Sequence, residues 1–181
     1  MPRLYSGSPW NQFKQKWQDC NLCQLCETRK NIVLCRGAIP ADVGFCGEAP
    51  GQSENVIGHP FIGPAGKLLD QQIEEAMGRA DKELRLVFFN LVCCIPLVDG
   101  RKVGEPSKES IEACEPRLDE FIYLCKPRLI IAVGDLAKKY LGDKSEVSIV
   151  HPAAILRAEV VRQALMHQRA IVIMENAFKD L

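Results

Sequence analysis

Cys20 and Cys23 form a C-x-x-C pair, and Cys94 and Cys114 follow far downstream, so thiolate chemistry comes first among this chain's possibilities. C-x-x-C alone serves zinc, iron–sulfur clusters and redox dithiols alike. Zinc sites usually come as two close knuckles. A pair parted so widely from its partners closes only in three dimensions, which suits a cubane cluster clasping an N-terminal segment to a folded domain. Spacing leaves iron–sulfur, zinc and ordinary thiols open. Cys46 and Cys125 read as small core residues, whereas Cys26 and Cys93 stand beside the four and compete with them as ligands.

A second set of residues could handle a flat polar ligand. Gly47-Glu48-Ala49-Pro50-Gly51 follows an apolar run, and Gly58-His59-Pro60-Phe61 comes soon after. Glycine there lets backbone approach a ligand closely. Glu48 and Glu54 flank the bend, where one carboxylate can shape a pocket and the other position a water; solvated loop glutamates are the plain alternative. Phe61 is either core packing or a stacking platform for a base. Asn90 interrupts the apolar run Leu86–Val92, and a buried amide must find partners or cost about 1–3 kcal/mol. Its donor and acceptor suit the edge of a pyrimidine, or neighbouring backbone. His151 ends another run before Pro152, as a packing residue or as a donor to a developing anion. His59 and His167 read as surface residues. Gly66-Lys67 is followed by Leu68, and Phe61 stands where a Walker glycine would, so neither standard phosphate loop is present.

These residues need a scaffold, and the hydrophobic pattern supplies one. Val43–Gly47, Leu84–Val92, Leu129–Gly134 and Val147–Val150 are near-continuous apolar runs of the kind found in parallel strands covered on both faces. Helical patterns fall between and after them, at Gly66–Met77, at Ser107–Leu124 with Ser107 as N-cap, at Asp135–Leu141 and from Glu159 onward. Alternation of strand and helix predicts an α/β fold, a three-layer α/β/α sandwich with a central four-stranded parallel sheet, in one domain over 1–181. Ligands of such sheets bind beyond the carboxyl ends of the strands, where Glu48, Asn90 and His151 fall.

Composition sets the remaining bounds. The chain is 47% hydrophobic, and no apolar run reaches the roughly 20 residues of a membrane span. Met1–Tyr5 lacks the apolar stretch of a secretory leader, and nine cysteines without one predict a reducing, cytoplasmic setting. Net charge is zero but unevenly spread: residues 1–40 hold six basic and two acidic groups, 41–125 eight and fifteen, and 126–181 nine and six. If the ends meet, they form a basic face for phosphates; scattered solvated charge is the simpler reading.

Taken together, the segments resemble the family 4 uracil-DNA glycosylases, the iron–sulfur branch of that superfamily. The resemblance spans about Trp17 to the C-terminus. It rests on Cys20-Asn21-Leu22-Cys23 with Arg29, on Gly47–Gly51 with Glu54, on Gly58–Asp70, on Asn90–Cys94, on Ala113–Leu118 and on His151–Leu156. It implies a 4Fe–4S cluster held by Cys20, Cys23, Cys94 and Cys114, and excision of uracil from DNA by base flipping. By the same resemblance Phe61 stacks on the extruded base, Asn90 reads its Watson–Crick edge, and Glu48 crowds C5 against thymine. His151 bonds O2 of the leaving base, and Glu54 places water or balances the oxocarbenium sugar. Ala49 stands where sister families keep a water-activating aspartate, so leaving-group stabilisation carries the expected reaction. A structural cluster would fix loops holding basic residues such as Arg29 and Arg117.

Departures from the family pattern are local. Cys93 precedes the third cysteine where a basic residue is usual, Ile95-Pro96-Leu97 replaces an Arg-Pro-Pro run, and Asn55 replaces the usual aspartate. The segment 95–106 is longer than usual, and Asp99–Lys102 reads as a turn contacting DNA or as a surface hairpin. No histidine lies between Asn90 and Cys114, so covalent capture of DNA is not expected. The expected protein is a monomeric, monofunctional uracil-DNA glycosylase acting on uracil-containing DNA. A non-catalytic iron–sulfur DNA-binding protein and a glycosylase for a modified pyrimidine are the alternatives.

Overall fold

A computed structural model describes residues 7–181; the Met1–Tyr5 stretch lies outside the described residues. The first helix, α1 (Pro9–Trp17), starts at Ser8, whose hydroxyl accepts from Asn11 N–H, and has proline at its first position. Its buried Phe13 and Trp17 lie one turn apart and pack on Phe121 of a later helix, the Phe13–Phe121 centroids being 5.5 Å apart.

Four parallel strands form where the apolar runs predicted them: β2 (Val43–Gly47), β3 (Leu86–Asn90), β6 (Leu129–Val133) and β7 (Val147–Ile149). A two-residue strand, β1 (Arg36–Gly37), adds an antiparallel edge, giving a five-stranded sheet in the order β1-β3-β2-β6-β7. The sheet is therefore mostly rather than wholly parallel, because so short an edge strand leaves no periodic trace in the sequence. The chain turns to opposite sides of β2, so the gap between β2 and β6 is a topological switch point.

Period-two alternation splits each strand between two cores. Val43, Phe45, Phe88 and Ile131 face α3 (Pro64–Ala80) and α7 (Val160–Lys179). Cys46, Val87, Phe89 and Ala132 face α1, α4 (Lys108–Cys125) and α5 (Asp135–Leu141). Three layers result. The basic ends divide: α7 lies on α3, across the sheet from α1, whereas α5 with Lys138 and Lys139 shares the face of α1 and α4, where the neighbouring Lys144 is paired with Asp119. Two six-residue helices, α2 (Gln52–Ile57) and α6 (Pro152–Arg157), were not anticipated. A hairpin of β4 (Leu97–Val98) and β5 (Lys102–Val103) turns through Asp99 and Gly100, both at positive φ. Among the described residues no helix is long and apolar enough to cross a membrane.

Candidate active site

At the carboxyl ends of the strands an open cleft of roughly 720 Å³ gathers Glu48, Ala49, Glu54, Phe61, Asn90 and His151. Every residue that the sequence nominated for ligand binding lines this one space. The β5 end adds Val103, Gly104 and Glu105 as a wall, and Lys139 and Arg157 stand among the lining residues.

Phe61 is the most constrained of them. Its backbone has φ 55°, unusual for a residue with a side chain, and its ring is 7% exposed, 5.9 Å from that of Phe88. Two glycines make room for it. A Cβ on Gly47 would come within 2.5 Å of the Phe61 ring and 2.6 Å of Asn90 Oδ1, and one on Gly66 would strike the Phe61 carbonyl. Gly47 therefore lets two side chains close together, rather than admitting a ligand to the backbone. Glu54 Oε1 accepts from the N–H groups of Ile62 at 3.0 Å and Gly63 at 2.8 Å and so fixes the loop beyond Phe61.

Arg36, which the sequence did not single out, holds the other side of that loop. Its Nε donates to Pro60 O at 2.9 Å and its Nη2 to Phe61 O at 3.2 Å, with an ion pair to Asp70. The guanidinium carbon lies 3.7 Å from the centre of the Phe88 ring. A lone arginine on a two-residue strand carries no signal in sequence. Asn55 is also explained: it is buried, and its Oδ1 accepts from Lys30 N–H at 2.8 Å while Asn31 bonds back to α2. An aspartate there would bury a charge.

Asn90 is 3% exposed, and among the described residues its side-chain amide has no hydrogen-bond partner, so both groups are free for a ligand. His151 caps α6: its Nδ1 accepts from Ala153 N–H at 3.1 Å. A neutral ring accepting there carries its proton on Nε2. Burial, then Arg157, holds His151 below the usual histidine range, which keeps it neutral. Burial, then Glu105 and Asp135, raises the Glu48 carboxyl.

On the other face of the sheet, Cys20, Cys23, Cys94 and Cys114 line one small cavity together with Cys93, Arg29 and Arg117. Cys26 does not line it. Cys46 is a buried core thiol, pushed up to about 12 by burial, as is Cys125. The neighbouring Cys93 thiol, opposed by burial and aided by Arg117, brings Cys114 below the usual thiol range. Burial raises Cys94 to about 11. Arg29 Nη1 reaches Cys94 Sγ at 3.5 Å, and Arg117 Nη2 reaches Cys114 Sγ at 3.5 Å. Arg117, a basic residue the cluster was expected to hold in place, is buried at 1% exposure and points inward; among the described residues its Nε and Nη1 have no partner. Among the described residues no three potential ligands converge on a single metal ion. Thiols lining a cavity with two guanidiniums are a donor set suited to an anionic group.

Fold and clefts define a doubly wound α/β protein with a ligand cleft at its switch point and a thiol-lined cavity beneath. Residues 36–172 match the family model of the uracil DNA glycosylase superfamily, and the chain belongs to that superfamily. It is 36% identical over 171 residues to a type-4 uracil-DNA glycosylase of Pyrobaculum aerophilum, covering 80% of this chain and 83% of that protein. It is 36% identical over 133 residues to the type-4 enzyme of Sulfurisphaera tokodaii and 37% over 130 to that of Saccharolobus solfataricus. Those matches cover 74% and 72% of this chain but span only 58% and 57% of the relatives' lengths.

Proposed function

We propose that this chain is a monofunctional uracil-DNA glycosylase that hydrolyses the bond between uracil N1 and the sugar C1′ of a flipped nucleotide. The observation that carries the reading is the meeting of an unpartnered buried amide, Asn90, a constrained aromatic ring, Phe61, and a neutral imidazole, His151, in one cleft.

Phe61 stacks on the extruded base, which costs a few kcal/mol to unstack from DNA. Asn90 donates to O4 and accepts from N3–H, a pattern that cytosine reverses. Glu48, beside Ala49, occupies the C5 side, where a methyl group would crowd it. As the C1′–N1 bond breaks, its electron pair passes to the ring, and His151 Nε2–H donates to O2. Water adds to C1′ and loses a proton, leaving an abasic site. Glu54, with Oε1 committed to the loop, offers its other oxygen to that water or to the cationic sugar.

Cys20, Cys23, Cys94 and Cys114 would hold a 4Fe–4S cluster. The buried Nε and Nη1 of Arg117, without a partner among the described residues, support this, because four thiolates on a 2+ core carry a net charge of about −2. The cluster would be a structural staple, since base hydrolysis transfers no electron. The protein works as a single-domain monomer in a reducing, cytoplasmic setting.

The test uses iron-replete protein, purified without air, on single-stranded DNA carrying one uracil. Alkali-dependent cleavage that is lost in both Asn90→Ala and His151→Ala is expected. No cleavage from iron-replete protein that still binds DNA would overturn the assignment, in favour of a modified pyrimidine or a binding role.

A further inference from the structure

A second groove, of roughly 450 Å³, lies between β7 and α7 and joins the reaction cleft at Asp135 and Val150, which line both. We propose that it binds the phosphodiester backbone of the DNA strand beside the flipped nucleotide, with Arg162 and Arg169 as its phosphate contacts. This rests on the glycosylase reading of the adjoining cleft.

Charge selects the ligand. Arg162 and Arg169 are exposed, line the groove, and have no carboxylate partner among the described residues. Two other cations of the α3–α7 face are paired, Arg79 with Glu75 and Glu175, and Lys179 with Glu175. Seven residues apart on one helix, the two arginines share a side of α7, about 10 Å apart along its axis. Successive phosphates of one duplex strand rise about 3.4 Å each, so the pair spans several. Opposite them, β7 is the sheet's edge, bonded only to β6, and an edge strand presents unpaired main-chain groups.

Position narrows the ligand to the strand being processed. The groove opens at Val150, next to His151, where the sugar-linked side of the base would lie. In the cleft the carboxylates Glu48, Glu54, Glu105 and Asp135 outnumber Lys139 and Arg157, whereas in the groove Asp135 stands against both Arg162 and Arg169. An acidic cleft for an uncharged base, beside a groove with two free guanidiniums, separates the two halves of a nucleotide by charge.

The experiment measures binding of full-length, iron-replete protein to a single-stranded oligonucleotide carrying a hydrolysis-resistant 2′-fluoro deoxyuridine, across a salt series. For Arg162→Ala/Arg169→Ala the slope of log affinity against log salt should become shallower by about 1.4, that is, by two contacts at about 0.7 each. Arg162→Lys/Arg169→Lys, which keeps both charges, should retain the wild-type slope and also guards against loss of fold. Uracil release at saturating DNA should be unchanged in both variants. An unchanged slope in the alanine variant overturns the proposal and leaves the groove to an acidic protein partner. Loss of slope in both variants also overturns it, because charge would not be the cause. If wild-type protein releases no uracil, the glycosylase reading falls, while the slopes still decide the groove.

Discussion

Arg117 donates to the backbone carbonyl of Asn90 at 2.8 Å while the same nitrogen reaches Cys114 Sγ at 3.5 Å. One buried guanidinium thus joins the thiol-lined cavity to the strand end that carries the candidate base reader. Burial opposes its charge, and the sulfurs of Cys93 and Cys114 restore it, holding Arg117 above the usual arginine range.

Replacing Arg117 by methionine keeps bulk but strands two buried carbonyls, Asn90 O and Leu91 O, without a donor. A buried acceptor left unsatisfied costs about 1–3 kcal/mol. We expect a loss of that order in unfolding free energy, read as a lower denaturant midpoint, together with fewer iron atoms per chain. A full iron complement with an unchanged midpoint would show that Arg117 does not tie the two sites.

Gly47→Ala tests the geometry of the cleft. The added Cβ meets both the Phe61 ring and Asn90 Oδ1 inside van der Waals distance, so one of them must move. Overpacking of this kind costs about 1–3 kcal/mol of stability. The loss in kcat/KM for uracil should exceed that of Asn90→Ala, because platform and reader shift together. Equal losses would mean that Phe61 stays in place.

Much of this site was legible in the sequence, for physical reasons. Val43–Gly47 and Leu129–Val133 are buried on both faces, so their runs leave little doubt about strand or register. Val43–Gly47 ends at Glu48 and Val147–Ile149 ends just before His151, and the parallel topology then brings the two residues to the same edge of the sheet. The signal for α1 was present in Ser8, Pro9 and the Phe13–Trp17 spacing. Arg36 and Arg117 were not legible. An arginine looks solvated in sequence, and only tertiary partners, the Phe61 carbonyl in one case and a thiol cavity in the other, reveal its burial.

The pH response follows from His151 and Glu48. Protonated His151 would set an Nδ1–H against the N–H of Ala153, so the neutral ring is the working form. Uracil release should be flat above the ordinary histidine value of 6.5 and fall on an acid limb below it, and His151→Ala should abolish that limb. Stability moves the same way, since a group with a lowered folded-state pKa is destabilising once the unfolded chain takes up the proton. Glu48 has the opposite sign. Its raised pKa costs stability at neutral pH, so Glu48→Gln should raise Tm there and lose the gain below 4.5. A rate that peaks on the acid side would instead assign His151 as a cationic acid.

Removing the proposed cluster is the sharpest test of the clasp. The segment from Cys20 to Asn31 is held at one end by α1, where Trp17 Nε1 donates to Glu120 at 3.0 Å, and at the other by the Asn31–Asn55 bonds to α2. Between those anchors, among the described residues, the cysteine cavity and the buried side chain of Leu25 fasten it to the Cys94 loop and α4. Chelation or Cys114→Ser should therefore loosen this segment first, because binding free energy at a site that forms only on folding is folding free energy. We expect faster amide exchange and protease cutting between residues 20 and 31, with the α3–α7 layer still protected. In Cys114→Ser, Asn90 exchange should rise as well, since Arg117 loses its sulfur partner and holds the Asn90 carbonyl less firmly. Uniform loosening of both layers would contradict a local clasp and place the cluster at the centre of the whole fold's stability.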